Sequence, residues 1–424
     1  MTDRRQFVTA LAGLPLAHSA LSPSAPDVSA APSRPIQAAK PHIVVVGAGA
    51  FGGWTALSLL RAGARVTLLD AYGAGNSRAS SGGETRVIRG VYNGKATYID
   101  MVARALVLWK EAESRWQRRF YHRTGALWMF EGSDDAFART SVAPMKARGL
   151  PLRELALAEA ARLYPQVRFD GVRTAWLEQD AGFLLARASC EAVREAVVRE
   201  GGDYRVAQVR PVASPGGRMA RVGLSSGGTL SADTFVFACG PWMGRLFPQV
   251  IGDRVRATRQ EVFFFGPPAG STQWDDPQFP CWVNFGEHLM YGIPGNERRG
   301  FKVADDTPGS IVDPDTLDRV VTPASLSAAR ALLKRRFPGL AAAPVVETRV
   351  CQYESSTDGD FIVDRHPTLE NVFLLGGGSG HGFKMGPAFG EHAAAVVQGR
   401  VPVLPMFALK RLANPSAAPT TRKA

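Results

Sequence analysis

The sequence predicts an α/β protein with a doubly wound parallel sheet and a second domain. Three features support this prediction. An apolar run from His42 to Val46 passes into a glycine-rich turn, and a helical pattern and a second apolar run from Arg65 to Leu69 follow. Two later apolar runs, Thr234 to Cys239 and Val372 to Leu375, also end at glycine. Such distant strands return to one parallel sheet if the residues between them form another domain.

The composition is ordinary for a globular protein, since 45% of the 424 residues are hydrophobic and 21% are charged. The length suggests two or three domains. The net charge is +12, but part of the excess lies at the termini and no long basic run is present. We therefore expect no nucleic-acid partner. The cysteines are far apart, so the sequence indicates no metal site and no disulfide scaffold; they are Cys190, Cys239, Cys281 and Cys351.

Residues 1–40 have the pattern of a signal peptide followed by a linker. Arg4 and Arg5 precede a short apolar stretch that begins at Phe7, and serine, proline and alanine follow. The paired arginines resemble the twin-arginine motif, which is recognised by export machinery for folded proteins. The apolar stretch is too short to cross a bilayer, as is every later one, so stable membrane insertion is not expected. We expect cleavage after Ala30 and a periplasmic or secreted product; an ordinary secretory signal or a disordered tail is the alternative.

The turn after the first strand has the spacing of a dinucleotide-binding motif. Gly47 makes the tight turn, Gly49 lets the backbone approach a pyrophosphate, and Gly52 lets helix and strand pack closely. The helix N-terminus offers free N–H groups and a favourable dipole to the phosphates. Asp70, at the end of the second strand, is placed to accept hydrogen bonds from an adenosine ribose. The motif does not decide which dinucleotide binds, and a βαβ unit with an empty crevice is the alternative.

The glycines near the carboxyl terminus favour a flavin over a nicotinamide cofactor. The last strand runs into a segment that contains Gly378 and Gly380. A nicotinamide dehydrogenase does not need a second glycine-rich strand end there. The ribityl chain and ring of a flavin, by contrast, must lie against bare backbone. We therefore expect both glycines to contribute to a flavin site.

Several sequence blocks together resemble one known family. They are Gly83 to Arg89, Thr124 to Leu127, Arg259-Gln260, Tyr291-Gly292, Lys302, Cys351 to Tyr353, Asp358 to Pro367, and Ser379 to Lys384. In this order they resemble the monomeric sarcosine oxidase family, which also holds N-methyltryptophan, pipecolate and fructosyl-amino-acid oxidases within the D-amino-acid-oxidase fold.

The resemblance implies how the chain is divided into domains. An FAD-binding, Rossmann-like domain would comprise residues 41–119, 178–250 and 345–410. A substrate domain of the α+β class, built on an antiparallel sheet, would comprise residues 120–177 and 251–344. Residues 411–424 would form a flexible basic tail. A monomer is expected.

The resemblance also implies roles for five side chains. Cys351 aligns with the cysteine that bonds covalently to the 8α position of FAD, a reaction that needs the thiolate. Lys302 aligns with the lysine that activates oxygen, where a fixed cation would stabilise superoxide. Arg89 and Lys384 align with the pair that binds the substrate carboxylate, and Arg86 is placed close to the flavin.

Tyr291 and Tyr353 would complete the substrate site. Each assignment has a plainer structural alternative: a buried cysteine, a solvated lysine, an arginine paired with Glu84, or tyrosines that only fill the core. The two arginines are three residues apart, so they would lie together if the segment were helical. His381 lies between two glycines and is expected to orient its turn rather than to act as a base.

Two positions depart from the pattern of the family. Gly82 and Asp306 stand where the family often has histidines, and Asp306 would partly neutralise Lys302. The sequence predicts FAD-dependent oxidation of a carboxylate-bearing secondary amine, such as an N-methyl or cyclic amino acid, to an imine, with O2 reduced to H2O2. One alternative is a dehydrogenase of the same fold that passes electrons to a quinone or carrier, which Asp306 favours. The other is an exported flavin- or ligand-binding protein without turnover.

Overall fold

The computed structural model describes residues 40–212 and 216–412. The predicted export signal up to residue 39 and the tail from residue 413 lie outside the described residues. The predicted tail begins two residues too early, because Leu409–Leu412 form a short 3-10 helix. In this helix Arg411 pairs with Asp358 at 2.7 Å. No helix in the described ranges is long and apolar enough to span a membrane.

Strands and helices alternate through the first half of the described chain, and longer strands follow. The strands are β1 His42–Val46, β2 Arg65–Asp70, β3 Thr85–Ile88, β4 Tyr121–His122, β5 Ala126–Phe130, β6 Leu152–Leu155, β7 Thr174–Glu178, β8 Gly182–Leu185, β9 Asp203–Val206, β10 Val209–Pro211, β11 Arg221–Leu224, β12 Thr229–Ser231, β13 Thr234–Phe237, β14 Val255–Phe265, β15 Cys281–Phe285, β16 Leu289–Ile293, β17 Phe301–Asp305, β18 Val345–Ser356, β19 Ile362–Arg365 and β20 Val372–Gly376. The helices are α1 Ala50–Arg61, α2 Ala96–Trp116, α3 Ala136–Arg139, α4 Val142–Lys146, α5 Leu157–Leu163, α6 Ala186–Arg199, α7 Met243–Leu246, α8 Pro323–Arg336 and α9 Gly386–Val397.

The predicted parallel sheet is present and has six strands in the order β19-β20-β13-β1-β2-β9. All neighbouring pairs are parallel except β19 with β20. Val45 in β1 lies opposite Val236 on one side and Leu68 on the other. Because both faces of the sheet are covered, β1 is apolar at nearly every position.

Helices cover one face of this sheet and a small β-sheet covers the other. Ile43 and Val45 point to the core beneath α1 and α9. Val44 and Val46 point to the opposite core, which contains Val222 of the antiparallel sheet β10-β11-β12. The α/β class is confirmed, with a β-layer on the face where a doubly wound domain would have further helices.

The second large sheet has eight strands in the order β18-β14-β17-β16-β15-β5-β7-β6. Its pairs are antiparallel except β5 with β15. Helix α8 packs on it through Leu332 and Leu333, against Trp282 and Phe301. A third antiparallel sheet, β3-β8-β4, is also formed.

Strand β18 does not belong to the six-stranded sheet, although residues 345–410 were predicted to lie in the FAD-binding domain. Residues 345–356 pair along β14 and so belong to the eight-stranded sheet, with Cys351 opposite Gln260. The next residues cross to β19 in the six-stranded sheet. One chain segment therefore connects the two sheets beside the cleft described below.

Candidate active site

A cleft of about 440 Å³ opens at the carboxyl ends of the parallel strands. Its wall includes Val46 from β1, Asp70 from β2 and Leu375 from β20, together with Ala238 and Cys239, which follow β13. Open α/β sheets bind their ligands at this edge. The fold thus brings the predicted strand ends together around one elongated space.

The first glycine turn closes one side of the cleft. Gly47 has a φ of 105°, and a Cβ at this position would lie 2.2 Å from the carbonyl oxygen of Ala238. A Cβ on Gly52 would lie 1.9 Å from the carbonyl oxygen of Gly47. Gly49 lines the cleft and precedes α1 without a side-chain cap. Larger residues are therefore excluded at Gly47 and Gly52, and the backbone at the start of α1 faces the cleft.

Asp70 lines the cleft at the end of β2. Its Oδ2 accepts a 2.8 Å hydrogen bond from the amide of Ala48, and its Oδ1 accepts one of 2.9 Å from the amide of Tyr72. Burial raises the pKa of Asp70, and these amides oppose the increase. The carboxylate therefore also fixes the glycine turn, a role that the sequence analysis did not assign to it.

The second glycine turn lies across the cleft, after β20. Gly378 and Gly380 both line the cleft. Gly380 has a φ of 72°, and a Cβ on it would lie 2.6 Å from the ring of Tyr353. Because a side chain at this position would collide with the ring of Tyr353, the position requires glycine.

A smaller cavity of about 70 Å³ adjoins the cleft. Four residues line both spaces, which are Arg86, Tyr353, Gly380 and Phe383. The smaller cavity is otherwise lined mainly by aromatic and charged side chains, among them Trp128, Phe137, Phe285, Tyr291, Arg89 and Lys384. The structure therefore gathers most of the residues predicted for the substrate around one cavity that opens onto the cleft.

Arg86 and Arg89 reach this cavity from a strand, not from a helix. Arg86 lies in β3, and its Nη1 donates a 2.8 Å hydrogen bond to the carbonyl of Thr85. Arg89 follows the strand and is 9% exposed. Its guanidinium donates to the carbonyl of Val91 and lies 4.5 Å from the centre of the Tyr92 ring. The segment is not helical, which was the condition under which a spacing of three residues would bring the two arginines together. Both side chains nevertheless line the cavity.

Glu84 is paired with arginines other than Arg86 and Arg89. It accepts hydrogen bonds or ion pairs from Arg187 at 3.0 Å, Arg349 at 3.0 Å and Arg299 at 3.3 Å. These arginines come from three distant parts of the chain. Glu84 therefore joins several segments.

Lys384 is held by a buried hydrogen-bonded chain. Its Nζ donates to the hydroxyl of Tyr92 at 2.9 Å and to the carbonyl of His381 at 2.7 Å. The Tyr92 hydroxyl also lies 3.2 Å from His381 Nδ1, and His381 Nε2 lies 2.9 Å from the carbonyl of Gly359. Because a carbonyl only accepts, we assign the proton to Nε2, so that Nδ1 accepts from Tyr92. His381 thus orients Lys384 and its turn, as expected.

Lys302 is buried, with 3% of its surface exposed. Its Nζ donates a 3.2 Å hydrogen bond to the carbonyl of Thr85 and lies 5.5 Å from the centre of the Tyr291 ring. The pKa of Lys302 is lowered to about 7, mainly by burial and also by the guanidinium of Arg86, whereas Asp306 opposes the decrease. The alternative of a solvated lysine is therefore wrong.

Asp306 lines the smaller cavity and accepts a 2.8 Å hydrogen bond from the hydroxyl of Tyr353. Burial raises the pKa of both Tyr291 and Tyr353, and Asp306 raises them further. Both tyrosines therefore stay neutral and can donate hydrogen bonds. The carboxylate that replaces the family's histidine is thus part of the cavity wall.

Cys351 is partly buried in β18, two residues before Tyr353. Its thiol interacts electrostatically with Lys302, Arg319 and Arg349. Of the described residues, those that line the two cavities do not include Cys351. Since side chains alternate along a strand, Cys351 and Tyr353 lie on the same face of β18.

Two buried residues of this region were not predicted from the sequence as part of the site. Tyr92 connects Lys384 to His381, and no sequence motif marked it. Glu354 lines the cleft and is 6% exposed. One sequence feature could have identified Glu354 as a site residue. It is a carboxylate within a buried strand that leads to a glycine-rich turn.

Comparisons with known proteins agree with this geometry. Residues 42–396 match the family described as FAD dependent oxidoreductase, DAO. The chain is 29% identical over 362 residues to monomeric sarcosine oxidase of Bacillus sp. (strain B-0618), with 82% of this chain and 90% of that protein covered. It is 26% identical over 368 residues to N-methyl-L-tryptophan oxidase of Salmonella agona (strain SL483), with 86% and 96% covered.

A solved structure gives the same fold. L-proline dehydrogenase from P. horikoshii matches with a TM-score of 0.77 at 19% sequence identity, and the match covers 88% of this chain and 98% of that one. The arrangement of sheets around the cleft is therefore shared with a known enzyme structure.

Proposed function

Since this chain belongs to the FAD dependent oxidoreductase (DAO) family, we propose that it oxidises a carboxylate-bearing secondary amine to an imine and uses O2 as the electron acceptor. It is an FAD-dependent amine oxidoreductase. The observation that supports the substrate class is the wall of the smaller cavity, where Arg89 and Lys384 lie beside aromatic side chains. The two relatives are named for sarcosine and N-methyl-L-tryptophan, which are N-methylated amino acids.

The residues of the cleft fit FAD. Gly47 and Gly52 allow the turn and the close packing that a pyrophosphate site needs, and the first amides of α1 face the same space. Asp70 would contact the adenosine ribose, while Gly378 and Gly380 would leave backbone bare for the flavin. When bound, FAD accepts a hydride equivalent from the substrate and passes the electrons on.

Arg89 and Lys384 would bind and orient the substrate through its carboxylate. A guanidinium binds a carboxylate in a bidentate manner, and an ammonium adds a point charge. Arg89 is fixed by Tyr92 and Val91, and Lys384 by Tyr92 and His381. Both cations are therefore positioned before the substrate arrives, which lowers the entropy cost of binding.

Asp306 and the aromatic wall would act on the rest of the substrate. A carboxylate in the cavity wall suits the positive charge of an amino acid's nitrogen. Aromatic side chains such as Trp128 and Phe285 exclude water, which strengthens these charge interactions. The cavity thus offers cations for the acid group and one carboxylate for the amine.

Lys302 would support the reaction with oxygen. A buried cation stabilises the anion that forms when O2 gains its first electron. At about 4 Å and an effective dielectric near 20, two unit charges attract by about 4 kcal/mol. Lys302 is suited to this role because it is buried and packs on Tyr291, which lines the cavity.

An anaerobic screen tests the proposed substrate class. Purified yellow protein is mixed under nitrogen with sarcosine, N-methyl-L-tryptophan, L-proline and amines that lack a carboxylate. Flavin bleaching by carboxylate-bearing secondary amines is expected, with much weaker bleaching in the Arg89→Met variant. Equal bleaching by amines without a carboxylate would contradict the assignment of Arg89 and Lys384.

One observation favours a second candidate, a dehydrogenase of the same fold. The pKa of Lys302 is lowered to about 7, mainly by burial, even though Asp306 opposes the decrease, so part of this lysine is neutral at pH 7. A partly neutral lysine would activate oxygen poorly, so that a quinone or carrier would accept the electrons. Admitting air to the bleached protein separates the two, because an oxidase regains its colour rapidly and forms H2O2.

We further propose that Cys351 holds FAD covalently at its 8α position. The position of Cys351 supports this role, because it lies on the same face of β18 as Tyr353, which lines the cleft. Residues 1–40 are proposed to direct export of the folded, cofactor-loaded protein through the twin-arginine route to a periplasmic or secreted location, and the mature protein is proposed to be a monomer. These proposals rest on the sequence.

A further inference from the structure

Glu354 is a buried carboxyl group in the wall of the cofactor cleft. A Cβ placed on Gly378 would lie 3.8 Å from Glu354 Oε2 and also 3.8 Å from the ring of Phe51. Phe51 lies in the first turn of α1. Glu354 therefore lies near a side chain that belongs to the helix turn at which the phosphates of the cofactor are expected.

In the described part of the chain, no lysine or arginine contributes to the pKa of Glu354. Among the described residues, its pKa is raised by burial and lowered only by the amides of Gly377 and Gly378. Its Oε1 has no hydrogen-bond partner in the described part of the chain. An unsatisfied buried polar atom is costly, so a ligand that fills the cleft is expected to satisfy it.

Among the described residues, the titratable group that interacts with Glu354 does not supply a positive charge either. The thiol of Cys239 faces Glu354 from the end of β13, and burial raises the pKa of this thiol so that it stays neutral. Asp70 faces the same thiol from β2. Burial raises the pKa of Glu354 to about 7. Two carboxyl groups with raised pKa thus lie in a cleft that binds an anionic cofactor.

A charged Glu354 would repel the phosphates, whereas a protonated one can donate a hydrogen bond. We propose that Glu354 binds the cofactor as a neutral carboxylic acid, so that each bound FAD fixes one proton on this side chain. The inference rests on the use of the cleft for FAD but not on the identity of the amine or of the electron acceptor.

The consequence is that FAD binding weakens as pH rises. Below pH 7 Glu354 already carries its proton and binding is unaffected. Above pH 7 the proton must be taken up from solution, which costs affinity in proportion to the ionised fraction. The dissociation constant of FAD is therefore expected to be about tenfold larger at pH 8 than at pH 6.

The test measures FAD release and needs no substrate. Holoprotein of the Cys351→Ser variant, in which the flavin is not covalently attached, is ultrafiltered at pH 6 and pH 8, and free FAD is quantified. If the flavin of the wild type is itself acid-labile, the wild type is used instead. Glu354→Gln keeps the shape of the side chain but cannot ionise, so its FAD affinity is expected to be the same at both pH values.

Two controls complete the test. Asp70→Asn removes the other carboxyl group of the cleft wall whose pKa is raised by burial, and it is expected to retain the pH dependence. FAD binding to protein with an unsubstituted Glu354 is also measured by calorimetry in two buffers with different ionisation enthalpies. Uptake of nearly one proton per FAD is expected at pH 8. Equal affinity at both pH values, a retained pH dependence in Glu354→Gln or no proton uptake would overturn the proposal. So would a failure to bind FAD at any pH, whereas failure to oxidise amines would contradict only the proposed function.

Discussion

The ammonium of Lys384 donates a 2.9 Å hydrogen bond to the hydroxyl of Tyr92, across 292 positions of the sequence. The same hydroxyl lies beside His381 Nδ1, so that Tyr92 connects Lys384 to the glycine turn after β20. The position of Lys384 therefore depends on a residue that does not line the substrate cavity.

Tyr92→Phe is expected to weaken substrate binding more than it slows the chemical step. Loss of one buried hydrogen bond to a charged group costs about 1.5–3 kcal/mol, which corresponds to roughly a tenfold to hundredfold higher KM. Steady-state kinetics measure KM and kcat separately. Tyr98→Phe is the matched control, since the Tyr98 hydroxyl binds Asp360 instead. A similar rise in KM in both variants would show that the effect is general loosening of the core.

Lys302→Met is expected to slow reoxidation of the flavin by O2 roughly 100- to 1000-fold while leaving its reduction by substrate much less affected. In the unmodified protein reoxidation is expected to be fastest below pH 7 and to decline above it. The reason is that the pKa of Lys302 is lowered to about 7 by burial, so the ammonium is lost as pH rises through this value. Stopped-flow mixing of reduced protein with oxygenated buffer measures the rate.

Two further variants sharpen the test of Lys302. Lys302→Arg keeps its charge at all these pH values, so its reoxidation is expected to be independent of pH. Asp306→Asn should move the pH profile to lower values, because Asp306 raises the pKa of Lys302. An unchanged profile in Asp306→Asn, or equal losses in both half-reactions of Lys302→Met, would contradict the role of Lys302 in the reaction with oxygen.

Cys351→Ser is expected to release the flavin on acid precipitation, whereas the colour stays with the precipitated protein when Cys351 is present. Cys239→Ser is a stringent control, because Cys239 lines the cleft directly and yet has no cation among the groups that act on its pKa. Absorbance of the supernatant and pellet measures the partition. Release of all flavin from the unmodified protein would exclude a covalent link.

Replacing Arg4 and Arg5 together by lysine is expected to leave yellow, active protein in the cytoplasm, while the native chain is exported and cut near Ala30. Covalent attachment needs Gly47 and Cys351 to be brought together first, so a transporter of folded proteins is required. Cell fractionation followed by mass determination of the exported protein provides the measurement. Equal export of both forms would contradict the twin-arginine assignment.

Features encoded within short stretches could be predicted from the sequence. The glycine turn, α1, β2 and Asp70 lie within about thirty residues, and their spacing is fixed by local geometry. The structure also places Arg86, Arg89, Tyr291, Tyr353 and Lys384 around one cavity, as the family resemblance implied.

Features that depend on packing between distant segments could not be predicted. Glu84 contacts its three arginines only in the folded chain. The same is true of the Tyr92 hydroxyl and Lys384. The domain boundary predicted at residue 345 does not coincide with the change of sheet, because β18 pairs with β14 and the chain then leads into the other sheet. A sequence pattern identifies such a strand but not the sheet that it joins.

The position of β20 between β19 and β13 also sets an order of events during synthesis. A ribosome that has made the first 340 residues has produced the glycine turn and α1, but not Glu354, β20 or α9, the helix that packs against α1. The nascent chain thus holds half of a binding cleft until the segment ending at Val397 emerges, which takes on the order of seconds at ordinary elongation rates. Nascent chains arrested at residue 340 are therefore expected to carry no flavin, and cofactor capture follows the synthesis of α9.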